Sequence, residues 1–270
     1  MPATAPNMAA SIATDPARRR VDYEQPLNER MRTFLRLEFL YRQLLYNAEL
    51  EADWATRAAT GSVLEILAIL SRGDVRSDVH KELAYQIENL TRFRSQPGVD
   101  ERRLDALLRN LVSIRADVDA AGGQFLQPLK DSEFLSAIKH RSSIPGGTCE
   151  FDLPEFSHWL RQPYERRNRD LSEWLAMIRP VGDAVLELLW LMRESSQPQD
   201  MVAAGGMYHH RMQRDASCRL LRVGLPVDSS LYPEISGSHQ RFTIRFLEWS
   251  GIGRRALQTS RDVRFQISVA

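Results

Sequence analysis

Arg241 and Arg245 stand four residues apart in the segment RFTIRFLE, alternating with Phe242, Ile244 and Phe246. On a strand, the period of two turns the three apolar side chains one way and both arginines the other. The guanidinium groups then lie about 13 Å apart on one polar face. Guanidinium binds carboxylate bidentately, so this spacing suits an extended acidic peptide. A merely solvated sheet face accounts for the pair equally well. Lysine occurs only at Lys81, Lys130 and Lys139, so arginine carries almost all the positive charge. A coding bias explains that number but not these positions.

Other reactive side chains favour plainer readings. His209 and His210 are adjacent, so on a strand their rings point to opposite faces and do not share a metal. Asp152, Glu155 and His158 lie close together, yet an ordinary helix start after Pro154 explains them better than an acid–base site. Cys149 lacks a legible histidine partner and reads as a small packed cysteine. Gly146-Gly147, behind the basic run Lys139-His140-Arg141, reads as a tight turn rather than a phosphate loop. No HExxH, Walker A, GxSxG or GxGxxG pattern is present. The reading is therefore against an enzyme, with no cofactor, no metal site and no catalytic residue.

Composition narrows the classes further. The 270 residues carry a formal net charge of +1, which excludes nucleic-acid binding driven by bulk charge. Two cysteines are too few for a disulfide scaffold and lack zinc spacing. No apolar run reaches the ~18 residues needed to span a bilayer, so no membrane insertion is expected. Residues 1–22 are rich in Ala, Pro and Thr and read as a disordered tail, not a signal, because Arg18, Arg19 and Arg20 follow the tract rather than precede it.

The elements that must hold these residues fall into two kinds. Helical periodicity begins at Asn28 and runs through Met31, Phe34, Leu35, Leu37, Leu40, Tyr41, Leu44 and Leu45, with Leu37 and Phe39 adding a second apolar face. Three more helices follow, broken at Arg72-Gly73, Pro97-Gly98 and Gly122-Gly123, with Asp100 as a cap. A later helix spans about 169–194, where Pro180 should kink or split it. Its stretch 185–192 is apolar almost all round, as in a core or a subunit interface. Beyond Pro198, the segments 201–208, 218–225, 241–248 and 262–269 read as antiparallel strands with one buried face. The expected class is α+β, a helical bundle domain plus an antiparallel β-sheet domain. The expected division is a helical dimerisation domain of 23–125 and 165–196 and a β-rich domain of 126–164 and 197–270.

Five segments, taken together and in order, resemble the ZapD family: PLNERMRTFLRLEFLYRQL (26–44), RGDVR (72–76), PGVD (97–100), SSIPGGTCEFDLP (142–154) and LYPEISGSHQRFTIRF (231–246). The resemblance implies a cytoplasmic, non-catalytic cell division protein at the midcell site. It implies a homodimer that binds the short C-terminal tail of FtsZ and cross-links and bundles FtsZ filaments, stabilising the Z-ring. The family's tail-binding positions fall on Arg36, Arg72, Arg241 and Arg245. Two further basic positions fall at Glu133 and Ser157, where Lys139, Arg141 and His158 are the nearest substitutes. The alternative function is a single-stranded nucleic-acid module using the same arginine face. It is disfavoured because the aromatics of 241–248 lie on the opposite face, where bases cannot stack on them.

Overall fold

The computed structural model describes residues 19–94, 96–211, 218–238 and 240–270. The expected tail lies outside the described residues up to position 18. The fold is α+β, as expected, and divides into a helical unit (29–194) and a sheet unit (through 28, and 195–270).

The helical unit contains α1 (Glu29–Ala48), α2 (Asp53–Leu70), α3 (Val75–Phe93), α4 (Glu101–Ala121), α5 (Gln127–Lys130), α6 (Glu133–Ser142), α7 (Pro154–Leu160) and α8 (Tyr164–Ser195). Short polar residues start three of these. The carboxylates of Asp74 and Asp100 and the hydroxyl of Ser132 accept the backbone N–H of Ser77, Arg103 and Leu135. α1 packs on α2 and α3 on α4. α8 reaches several partners. Its Arg193 donates to Glu38 of α1, its Arg167 to Thr56 of α2, and its Glu187 accepts from Asn110 of α4.

The segment 126–164, expected among the strands, is helical and belongs to this unit. Its glycines and prolines hid three short helices. An aromatic cluster joins α6 and α7 to α8, with Phe134, Phe156 and Trp159 packing on one another and Trp174 of α8 packing on Phe134 and Trp159. α8 runs unbroken through Pro180. The proline forfeits one backbone hydrogen bond, and burial of Ile178, Val181, Ala184 and Val185 on either side offsets the loss. Within 185–192, Val185, Leu188, Leu189, Leu191 and Met192 are buried within the single chain, so this stretch is core.

Gly182 lets α1 and α8 meet. A Cβ there would lie 2.6 Å from Cζ of Tyr41, whose hydroxyl donates to Asp183 at 2.7 Å. Burial first, and then that hydrogen bond, hold the Tyr41 phenol well above its ordinary pKa. Gly182→Ala is expected to destabilise the helical unit by about 1–3 kcal/mol, despite alanine's better helix propensity. Urea unfolding followed by helical circular dichroism measures this, and a more stable variant would mean the ring yields freely.

The sheet unit contains β1 (Arg20–Pro26), β2 (Gln199–Ala203), β3 (Met207–Arg211), β4 (Leu220–Pro226), β5 (Leu231–Ser238), β6 (Arg241–Glu248), β7 (Leu257–Gln258) and β8 (Val263–Val269). One sheet has the order β1-β4-β8-β2. The other has β3-β6-β5, with β7 also paired to β6. All these pairings are antiparallel. The sheets share one core, which includes Leu221, Val223, Leu225, Phe242, Ile244, Phe246, Val263, Phe265 and Ile267. The rings of Phe246 and Phe265, one from each sheet, lie 5.0 Å apart.

Three features depart from the expected strands. Residues 20–22, assigned to the tail, and 23–26, assigned to the helical domain, form β1, which exists because it pairs with β4 along its whole length. Residues 201–208 are not one strand. The chain crosses from one sheet to the other at Gly205 and Gly206, both at positive φ, and a Cβ on Gly206 would lie 2.2 Å from the Thr259 carbonyl oxygen. β5 is absent from the expected strands and contains Pro233 and Gly237. It is an edge strand, where a missing N–H is tolerated.

Candidate functional site

The solvent-facing side of β6 is set by the residues that face the core. Phe242, Ile244 and Phe246 are buried, which leaves Arg241 and Arg245 exposed on the other side, with Thr243 between them. The registers then define the whole face. Arg211, His209 and Met207 of β3 lie opposite Arg241, Thr243 and Arg245. On the far side, Ser238, Ser236, Glu234 and Tyr232 of β5 lie opposite Arg241, Thr243, Arg245 and Leu247.

The two expected arginines are not equivalent. Arg245 forms an ion pair with Glu234, directly across the ladder, with both side chains half exposed. Arg241 has no side-chain partner among the described residues, and neither has Arg211 opposite it. Directly opposed Cβ atoms lie about 4.5–5.5 Å apart, and like charges there repel. An anion bound between the two guanidinium groups relieves that repulsion. His209 Nδ1 lies 3.0 Å from Thr243 Oγ1 on the same face. A shallow depression of about 540 Å³ opens here, lined by His209, Arg211, Ser236, Arg241 and Thr243. Towards the other end of the face, Met207, Tyr232 and Leu247 are half-buried and apolar. The arrangement is a polar, cationic pocket followed by an apolar strip. It matches a short chain that carries carboxylates and apolar side chains.

The remaining expected residues lie in the helical unit. Arg36 is exposed on α1, and Arg72 is exposed just beyond α2, where its backbone N–H donates to the Ile69 carbonyl at 3.2 Å. Lys139 is exposed in the last turn of α6. Arg141 is engaged by Asp152 at 3.5 Å, and His158 by Gln162 at 3.0 Å. The structure thus gathers Arg241 and Arg245 on one face, while the other five lie in the helical unit, with Lys139 and Arg141 together on α6 and Arg36, Arg72 and His158 each elsewhere.

Arg211 and His209 are the residues that sequence reading missed. No local signal marks Arg211, because only the β3–β6 register sets it against Arg241. The reading of the histidine pair holds. His209 faces Thr243, while His210 stacks on Phe242 with ring centroids 5.0 Å apart. The Cys149 thiol donates to Asp152 at 3.6 Å, and burial pushes the Cys218 thiol up to about 11. Ile144, Gly147 and Cys149 close successive backbone turns around the glycine pair. Among the described residues, no cluster of three His, Cys, Asp or Glu side chains is placed to hold a metal ion.

Comparison with known proteins gives a consistent match. Residues 35–245 match the family model described as ZapD, cell division protein. The chain is 36% identical over 248 residues to the cell division protein ZapD of Methylococcus capsulatus, covering 92% of this chain and 96% of the relative. It is 36% identical over 248 residues to that of Ralstonia nicotianae, covering 92% and 98%. It is 39% identical over 227 residues to that of Yersinia pestis, covering 83% and 88%.

Proposed function

This chain belongs to the ZapD family of cell division proteins, and we propose that it binds the C-terminal tail of FtsZ on the β3-β6-β5 face and, as a homodimer, cross-links FtsZ filaments. The observation that carries this reading is the opposed pair Arg211 and Arg241, without side-chain partners among the described residues and flanked by an apolar strip. Carboxylates of the tail sit between the guanidinium groups, and its apolar side chains lie along Met207, Tyr232 and Leu247. Arg36 and Arg72, and secondarily Lys139, Arg141 and His158, are proposed as further tail contacts. The reading requires no catalysed reaction and no cofactor, and its place of action is the cytoplasm at midcell.

Exposed ion pairs contribute only about 0.2–1 kcal/mol each, so one tail on one site binds weakly. A dimer facing a filament with one tail per subunit gains effective concentration, which raises avidity by roughly 10²–10⁴. Dimerisation is therefore needed for bundling rather than for first contact. The outer face of α1 carries Phe39 and Tyr46, both well exposed and seven residues apart on one side of the helix. We assign the dimer contact to this face, since 185–192 is consumed by the core of its own protomer.

Fluorescence anisotropy with a labelled peptide of the FtsZ tail tests the reading. Affinity is expected to fall steadily between 50 and 300 mM salt, because exposed pairs are screened over about 10 Å at 0.1 M. Co-sedimentation with FtsZ polymers should exceed the peptide affinity by the avidity factor. Preference for mixed single-stranded oligonucleotides over the peptide at physiological salt would move the face to the nucleic-acid reading.

A further inference from the structure

The turn from β6 to β7, residues 249–256, reads WSGIGRRA and contains no acidic residue. Its base is anchored, since the Trp249 N–H donates to the Ser230 carbonyl at 2.8 Å and the Thr259 N–H to the Phe246 carbonyl at 3.0 Å. Its tip stands clear of the sheet. Ile252 is 97% exposed, Trp249 59% and Leu257, at the start of β7, 70%. Gly251, at φ 97°, reverses the backbone just before Ile252 and directs it outward. Arg254 and Arg255 follow, both exposed, with no side-chain partner among the described residues. The nearest carboxylate in sequence, Glu248, is held by Arg261 at 3.2 Å.

An isolated exposed isoleucine is unremarkable. Two large apolar side chains on one exposed turn, a third at its foot on β7, and two cations without side-chain partners among the described residues form a pattern with a definite chemistry. Side chains this exposed offer little enclosure to a small ligand. Tryptophan favours the boundary between headgroups and acyl chains, aliphatic side chains enter just below it, and arginine is attracted to anionic headgroups. We propose that the β6–β7 tip docks the sheet unit on an anionic phospholipid surface, with Ile252 and Trp249 in the interface and Arg254 and Arg255 at the level of the phosphates. The contact is peripheral, as no described helix is long and apolar enough to cross a membrane. It also leaves the cationic pocket free, because Arg241 lies at the far end of β6, about 23 Å along the strand from Glu248. Lipid and peptide can then be held together, and the proposal does not depend on the peptide reading.

The test is flotation of the full chain with extruded vesicles of 30% phosphatidylglycerol in phosphatidylcholine, against phosphatidylcholine alone. Binding is expected only to the anionic vesicles and should fall with added salt. Arg254→Gln with Arg255→Gln should lower partitioning by roughly fivefold for each arginine. Ile252→Ser with Trp249→Ser should remove flotation while leaving the unfolding midpoint and the affinity for the FtsZ-tail peptide unchanged. The proposal fails if the wild-type chain does not float with anionic vesicles, if it floats equally with neutral ones, or if the serine variant floats as well as the wild type. Self-association lost in the serine variant, without lipid binding by the wild type, would assign the tip to a second copy of the chain and overturn the proposal.

Discussion

Replacing Arg211 and Arg241 together by alanine is expected to weaken binding of a single FtsZ tail by roughly two- to thirtyfold and filament cross-linking by the square of that factor, roughly 4- to 900-fold. The first figure is two exposed ion pairs at about 0.2–1 kcal/mol each, converted to affinity. The second follows because a cross-link must hold at both ends, so the loss enters twice. Arg245→Ala should do less. Arg245 must give up Glu234 before it can serve a ligand carboxylate, so its net contribution is the difference between two similar pairs. The converse change, Glu234→Gln, frees Arg245 and should tighten binding modestly. Peptide anisotropy and co-sedimentation measure all three, with dimerisation checked by ultracentrifugation. An Arg211/Arg241 double variant that still bundles filaments normally would remove the sheet face as the binding site. A larger loss from Arg245→Ala than from the double variant would mean that the Glu234 pair opens on binding and that Arg245 is the principal anchor.

Glu38→Ala should cost about 3 kcal/mol of stability, the lower end of the range for breaking a buried charge pair. Glu38 is buried on α1, and Arg193 of α8 grips its two oxygens at 2.7 and 2.5 Å. Arg42, one turn along, donates to the same carboxylate at 2.9 and 3.1 Å. Removing the carboxylate leaves Arg193 mostly buried without this counter-charge. The lower end applies because Arg193 retains some solvent contact and Arg42 is largely exposed. The pH dependence has a definite sign. Burial alone would raise the Glu38 carboxyl, but hydrogen bonding and charge from Arg193, then from Arg42, hold it below the ordinary value of 4.5. A depressed carboxylate stabilises the fold above its unfolded pKa, and that contribution disappears as pH falls through the lower folded value. The stability gap between wild type and Glu38→Gln should therefore be full at pH 7 and close progressively below about pH 4.5. Glu187 works in the other direction. Its carboxyl is raised by burial, against a hydrogen bond from Asn110, so it costs stability at neutral pH. The difference between the two proteins, rather than the wild-type acid curve, isolates Glu38. A gap that widens on acidification would show that the Glu38 carboxylate is a net burden to the fold.

What could be read without coordinates was whatever depends on neighbours in the chain. The alternation of 241–248 predicts both the buried Phe242, Ile244 and Phe246 and the exposed Arg241 and Arg245, because strand period and solvation act locally. The helix breaks at 73 and 122 and the Asp100 cap are legible for the same reason: a cap satisfies backbone groups within one turn. Linear order also suffices for the family resemblance. Pairing across the sheet is another matter. β1 has a weak pattern of its own and is a strand only because β4 lies beside it. β5 tolerates Pro233 and Gly237 only because it is an edge. α6 and α7 are held by aromatic rings from separate segments, so their turn-rich sequence misleads. The state of each arginine belongs to the same class. Arg245 and Glu234 are eleven residues apart, and Arg211 and Arg241 thirty, and nothing in either interval encodes the register that opposes them. Local sequence therefore determined which side chains face water. Tertiary structure alone decided which of those charges were neutralised and which were left available, because that depends on the partner the folded ladder sets opposite each one.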